Sequence, residues 1–212
     1  MKRTHHRLSF GFALAAAMLL AACAPVRVRE NAQTAQAQTE REAALAARTH
    51  WLVHARIAVS NGKDGGSGDL EWRKSGSDFR FVVHAPVTGK TWQLSGGEGH
   101  AQLEGVDPQP TTGSDPERLL RDRVGWDVPL ADLDAWVLGA RAPGEPAQIQ
   151  FDAQNLPAVL EQDGWKVEYR DWFADKNPPL PRKVFATRGQ ARVRVAIESW
   201  SFADDTIDDV FP

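Results

Sequence analysis

The sequence holds a single cysteine, Cys23. An intrachain disulfide is therefore excluded, as is a metal site built on several cysteines, and the chain must stand on its own hydrophobic core. Basic residues are in no excess: 25 Lys and Arg face 28 Asp and Glu. The basic footprint of a nucleic-acid-binding protein is missing. So are Gly-x-Ser-x-Gly, a Walker loop, His-Glu-x-x-His and Gly-x-Gly-x-x-Gly, the motifs that place a nucleophile, a phosphate cradle, a zinc pair or a dinucleotide. Gly96-Gly97-Glu98-Gly99 follows a strand, but no helix start comes after it, so it reads as a hairpin turn. His50, His54, His84 and His100 are scattered singly. Asp204, Asp205, Asp208 and Asp209 lack the spacing and glycine of a calcium loop and read as a solvated tail. No catalytic constellation, metal or cofactor is expected.

The N-terminus has the three-part layout of a secretory signal. Lys2, Arg3 and Arg7 form a basic start, and no acid precedes Glu30. The apolar run from Phe10 to Leu20 is too short to span a bilayer comfortably. It ends at Leu20-Ala21-Ala22-Cys23, where small residues precede the only thiol, as in a lipoprotein signal peptide. We expect cleavage before Cys23, lipidation of Cys23 and a lipid-anchored protein facing the periplasm. Ala24, in place of an inner-membrane retention aspartate, favours the outer membrane. The chain then divides into a signal peptide (1–22), an acylated cysteine with a flexible tether (23–39) and one domain (40–212). A helix is predicted through Glu40–Arg48, where strong helix formers dominate.

From Trp51 the apolar residues recur every second position, which predicts strands. Trp51, Val53, Ala55, Ile57 and Val59 share one face; Leu70 and Trp72, then Phe79, Phe81 and Val83, then Trp92 and Leu94 repeat the pattern across turns. The middle is helical. Ser114-Asp115-Pro116-Glu117 opens one helix that Gly125 can stop, and Pro129-Leu130 opens another ending near Gly139. Strands return at Ala158–Gln162 and Trp165–Tyr169 around the Asp163-Gly164 turn, then at Val184-Phe185 and Arg192–Trp200. The result is a one-sided antiparallel sheet that must cover its apolar face by closure or by packed helices. Eight tryptophans fill a core or line a cavity.

The order of these segments resembles the LolB family. The matching pieces are Ala55–Val59, Leu70–Trp72, Phe79–Val83 leading to Pro86, Gly125–Leu130, Leu133–Trp136 with Gly139, Gly164–Tyr169, Leu180-Pro181 and Glu198–Trp200. The resemblance implies a mainly β fold with helices, of the LolA/LolB type. It would be an incomplete antiparallel β-barrel of about eleven strands, closed by a few helices. It also implies a non-enzymatic outer-membrane receptor that accepts acylated lipoproteins from the periplasmic carrier LolA and inserts them among outer-membrane lipids, with a monomer expected. The acyl-chain cavity would draw on Ile57, Leu70, Trp72, Phe81, Trp92, Leu94, Trp136, Val167, Tyr169, Val193 and Val195, although ordinary core is an equal reading for any one of them. The loop Ala85–Thr91 aligns with a protruding membrane-insertion loop, with Val87 after Pro86 at the apolar position. Two other readings remain: an outer-membrane structural lipoprotein that stabilises an envelope complex through a filled barrel, and a lipid-modifying or cell-wall enzyme.

Overall fold

A computed structural model of the chain describes residues 27–144 and 146–203. The signal segment, Cys23 and the four tail aspartates lie outside the described residues. Among the described residues, twelve strands form one antiparallel sheet: β1 (Val28–Arg29), β2 (His50–Ser60), β3 (Gly65–Ser75), β4 (Asp78–Ala85), β5 (Lys90–Gly97), β6 (His100–Glu104), β7 (Thr111–Gly113), β8 (Ala147–Phe151), β9 (Pro157–Gln162), β10 (Trp165–Phe173), β11 (Leu180–Arg188) and β12 (Ala191–Phe202). Their order is β1-β8-β9-β10-β11-β12-β2-β3-β4-β5-β6-β7. The sheet is open, since β1 and β7 are its edges, and it matches the expected incomplete barrel. The strand count exceeds the expected eleven because both edges end in very short strands of two and three residues.

Alternation sets which face is buried. Trp51, Val53, Ala55, Ile57 and Val59 of β2 are buried while His54 and Arg56 are exposed. A bulge in β12 between Ile197 and Ser199 shifts the alternation by one residue. Val193, Val195 and Ile197 before it and Trp200 and Phe202 after it can then all enter the same core. The Asp163-Gly164 hairpin between β9 and β10 has positive φ at both residues, 47° and 71°, as a tight turn matched to strand twist requires.

Helix α1 (Ala32–Ala46) starts eight residues before the predicted Glu40, inside the stretch read as tether. Its start is a capping box. Asn31 Oδ1 accepts from the amides of Gln33 and Thr34 at 3.0 Å each, and Thr34 Oγ1 accepts from the Asn31 amide at 2.9 Å. Two further helices cover the apolar face of the sheet: α2 (Pro116–Leu119), which runs on into a π-helical turn at Leu120–Val124, and α3 (Leu130–Trp136).

Candidate functional site

The covering helices form where their first-turn chemistry dictates. Asp115 caps α2 by accepting from the Arg118 amide at 3.0 Å, with Pro116 in the first turn. Gly125 ends the π turn in the left-handed region at φ 76°. The chain then lays Trp126, Val128 and Leu130 on the sheet, and α3 adds Leu133 and Trp136, all buried. Trp126 meets Trp92 edge to face at 5.2 Å. It also lies so close to the β3 backbone that a Cβ on Gly66 would sit 3.2 Å from its indole nitrogen.

Between the β3–β4 hairpin and the starts of α2 and α3 opens a pocket of 410 Å³, within the range of roughly 300–1,000 Å³ typical of ligand sites. Trp72, Phe79 and Leu130 give it apolar walls, while Lys74, Glu117 and Asp134 stand at its rim. Lys74 Nζ donates to Asp134 Oδ2 at 2.8 Å, tying β3 to α3, and Asp134 Oδ1 is buried without a hydrogen-bond partner. Glu117 accepts from the Ala131 amide at 3.2 Å. Burial, aided by the nearby carboxylates of Asp115 and Asp132, pushes its carboxyl above the usual range in spite of that bond.

The eleven residues assigned to the cavity from the sequence all fall in one buried cluster, none more than 7% exposed. Register brings them together: Trp72 faces Phe81 and Phe81 faces Leu94, while Val83 joins Leu70 to Trp92. In the other half of the sheet Ile57 faces Val195, and Val184 stands between Val195 and Tyr169. Trp136 of α3 covers them, 6.0 Å from Trp165. Of the eleven, Trp72 alone lines the 410 Å³ pocket. Its indole N–H and the Tyr169 hydroxyl are buried without partners, and burial pushes the Tyr169 hydroxyl well up. Trp51, Trp126, Trp165 and Trp200 belong to the same cluster but were not singled out. For Trp51 the β2 alternation was the available signal. For Trp126 it was the segment opening with Gly125.

The far end of α3 is fastened. Gln162 Oε1 of β9 accepts from the Trp136 indole at 3.2 Å and from the Ala142 amide at 2.9 Å, and Gln162 Nε2 donates to the Ala142 carbonyl at 2.8 Å. From the other side α1 grips the same turn. Gln38 Nε2 donates to Gly139 O at 3.0 Å, Arg41 Nη2 donates to Leu138 O at 2.8 Å, and Glu42 receives the Arg141 guanidinium at 2.7–3.1 Å. Burial lowers the Arg41 guanidinium to about 10, and it lies over the Trp172 ring at 5.0 Å. Gly139 adopts φ 74°, and a Cβ there would meet Trp172 at 2.8 Å, so this turn needs glycine.

At the opposite end of β4 from the mouth pocket, the loop between β4 and β5 projects into solvent. The amides of Thr88 and Gly89 donate to Ala85 O at 3.2 and 2.9 Å, which closes the loop, and His84 Nδ1 lies 2.8 Å from Thr91 Oγ1 at its base. Val87, following Pro86, is 95% exposed and is the one large exposed hydrophobic residue among the described residues. The four strand histidines form no metal cluster among the described residues.

A family model described as "Outer membrane lipoprotein LolB" matches residues 49–200. The chain is 36% identical over 182 residues to "Outer-membrane lipoprotein LolB" of Xanthomonas campestris pv. campestris (strain 8004), covering 84% of this chain and 83% of that one. It is 37% identical to the protein so described from Xylella fastidiosa (strain 9a5c), covering 84% and 82%. A solved structure of a DUF1329 family protein from Desulfovibrio piger shares the fold, with a TM-score of 0.54 at 8% identity over 84% of this chain and 96% of that one.

Proposed function

Because the chain belongs to the LolB family, we propose that it is a non-enzymatic outer-membrane lipoprotein, anchored through Cys23 and facing the periplasm. In this reading it takes acylated lipoproteins from the carrier LolA into its apolar interior and releases them into the membrane. The observation that carries the reading is the continuous apolar cluster that reaches the surface beside Trp72 at the 410 Å³ mouth.

The energetics suit passive transfer. Each buried methylene is worth about 0.8 kcal/mol, so acyl chains exposed to water would drive aggregation. An interior that binds the chains better than the carrier, and worse than the bilayer, moves them outward without nucleotide. The closed interior seen here would admit chains by an outward movement of α3, whose last turn is held both by the Lys74–Asp134 pair and by Gln162 at Trp136. Delivery would follow insertion of the Val87 loop into the bilayer, with Lys90 beside it to meet headgroups.

The close packing of the interior also suits the rival reading, a structural lipoprotein of the envelope. Transfer of an acylated lipoprotein from purified LolA to the chain starting after Cys23 separates the two. Acceptance supports the receptor, and no acceptance overturns it. Val87→Glu should leave acceptance intact and abolish delivery to liposomes; normal delivery would remove the loop from the mechanism.

A further inference from the structure

The outward face of the sheet carries a second site with different chemistry. Ala58 of β2 and Ala196 of β12 have short side chains, and around them lies a depression of 520 Å³. Cross-strand register arranges its rim. Arg56 stands opposite Ala196 on one side and Lys183 of β11 on the other, so two cations flank one alanine in a single row. With strands about 4.8 Å apart, their Cα atoms are roughly 10 Å apart. In the next row of the same face Arg194 lies between Ala58 and Phe185.

Three cations thus surround a shallow hollow whose lining contains one carboxylate, Asp69. Arg56 is shared between Asp69 at 3.5 Å and Glu198 at 3.3 Å, all well exposed, and Lys183 lies 3.8 Å from Asp171. Arg194 makes no ion pair among the described residues and lies 5.8 Å from the Phe185 ring. Pro86 borders the hollow, and the next residue is the exposed Val87.

We propose that this hollow binds the phosphodiester headgroup of a membrane glycerophospholipid, so that the protein meets the bilayer through a paired contact: Val87 among the acyl chains and a phosphate held by Arg56, Lys183 and Arg194. Arginine forks and a lysine point charge suit phosphate oxygens. Insertion of the loop tip would bring the phosphate layer level with Pro86. The site deepens the membrane-loop reading and rests on it for its placement, while its charge stands apart.

The test is co-sedimentation of the chain from residue 24 onward with vesicles of phosphatidylcholine alone or mixed with phosphatidylglycerol. This chain keeps the whole sheet and core, which lie within 27–203. Lys183→Glu with Arg194→Glu should lower binding to the mixed vesicles by about tenfold or more and flatten its salt dependence, while Val87→Glu weakens binding to both kinds. Free inorganic phosphate at low concentration should not compete; competition at low concentration would assign the hollow to a soluble anion and overturn the proposal. Unchanged vesicle binding by the double variant, with Val87→Glu impaired, would overturn the hollow and leave the loop standing. Loss in the double variant with Val87→Glu unaffected would keep the hollow and remove the loop. If the double variant lost capture of purified LolA but kept vesicle binding, the occupant would be a protein and the proposal would fail. Circular dichroism melts confirm that the exposed substitutions leave the fold intact.

Discussion

Lys74 Nζ and Asp134 Oδ2 meet at 2.8 Å in the pocket beside Trp72, joining the sheet to the helix that covers it. Both side chains are about a quarter exposed, so the pair itself contributes at most about 1 kcal/mol. That is small beside the burial of Leu133 and Trp136 on the same helix, about 1.5–3 kcal/mol for each large side chain. The pair suits a latch better than a foundation.

Lys74→Met should therefore loosen α3 without unfolding the domain. The remaining Asp134 carboxylate would have neither oxygen paired, a penalty of roughly 1–3 kcal/mol against the closed position. Stopped-flow uptake of a fluorescent fatty acid is expected to speed up several-fold. Adding Asp134→Leu removes the stranded charge and should return uptake toward the original rate. Equal rates in all three proteins would mean that α3 does not gate the interior.

The grip of α1 on the 138–141 turn depends on pH. Burial raises the Glu42 carboxyl, but bonds from the Arg141 side chain and amide and from Gln38 outweigh it and hold the group below the usual range. A carboxyl with a depressed folded pKa stabilises fully above its unfolded value, about 4.3, and that stability is lost as pH falls through the folded value. Protection of the α1 amides against hydrogen exchange should fall once the pH drops below the ordinary carboxylate range, before the central strands open. Glu42→Gln should show the faster exchange already at neutral pH and lose the acid step.

Much of this architecture was legible in the sequence, for reasons visible at particular residues. Period-two burial of Trp51 to Val59 and the Asp163-Gly164 turn are local, and local patterns transfer directly to structure. The start of α1 was missed because Thr34 occupies the position where Glu or Gln usually completes a capping box, and because the Gln/Thr-rich face of the helix is buried through Thr34, Gln38 and Arg41. Edge strands β1 and β7, and the five-residue β8 beside β1, carry too few residues for alternation to register. The apolar members of the site were readable one by one. That Lys74 reaches Asp134, and that Arg56, Lys183 and Arg194 converge, depends on pairing between strands and helices distant in sequence, which a linear pattern does not contain.

Gln162 holds Trp136, the last residue of α3. Its side chain satisfies the Trp136 indole and both polar groups of Ala142 inside the protein, at 2.8–3.2 Å. Gln162→Met keeps the volume but leaves these groups unpaired at roughly 1–3 kcal/mol for each buried one. A loss of roughly 2–5 kcal/mol in urea unfolding is expected. A loss under about 1 kcal/mol would mean that the network is not maintained in solution.

Trp72 distinguishes a core from a receiving cavity, because it belongs to both the buried cluster and the mouth wall. Trp72→Ala should cost about 3–5 kcal/mol as a large-to-small change in a packed interior. Trp200 is also buried and lies in the same aromatic chain through Trp51, but it does not line the mouth, so Trp200→Ala should cost a similar amount. The two should part company on ligand. If acyl chains enter beside Trp72, its removal leaves apolar space continuous with the mouth, and fatty-acid binding measured by fluorescence titration should tighten for Trp72→Ala alone. Bound ligand should also restore part of that variant's lost stability, by the usual linkage between binding and folding. A parallel loss in both variants, with no gain in binding at either, would place Trp72 in the core and move the entry elsewhere.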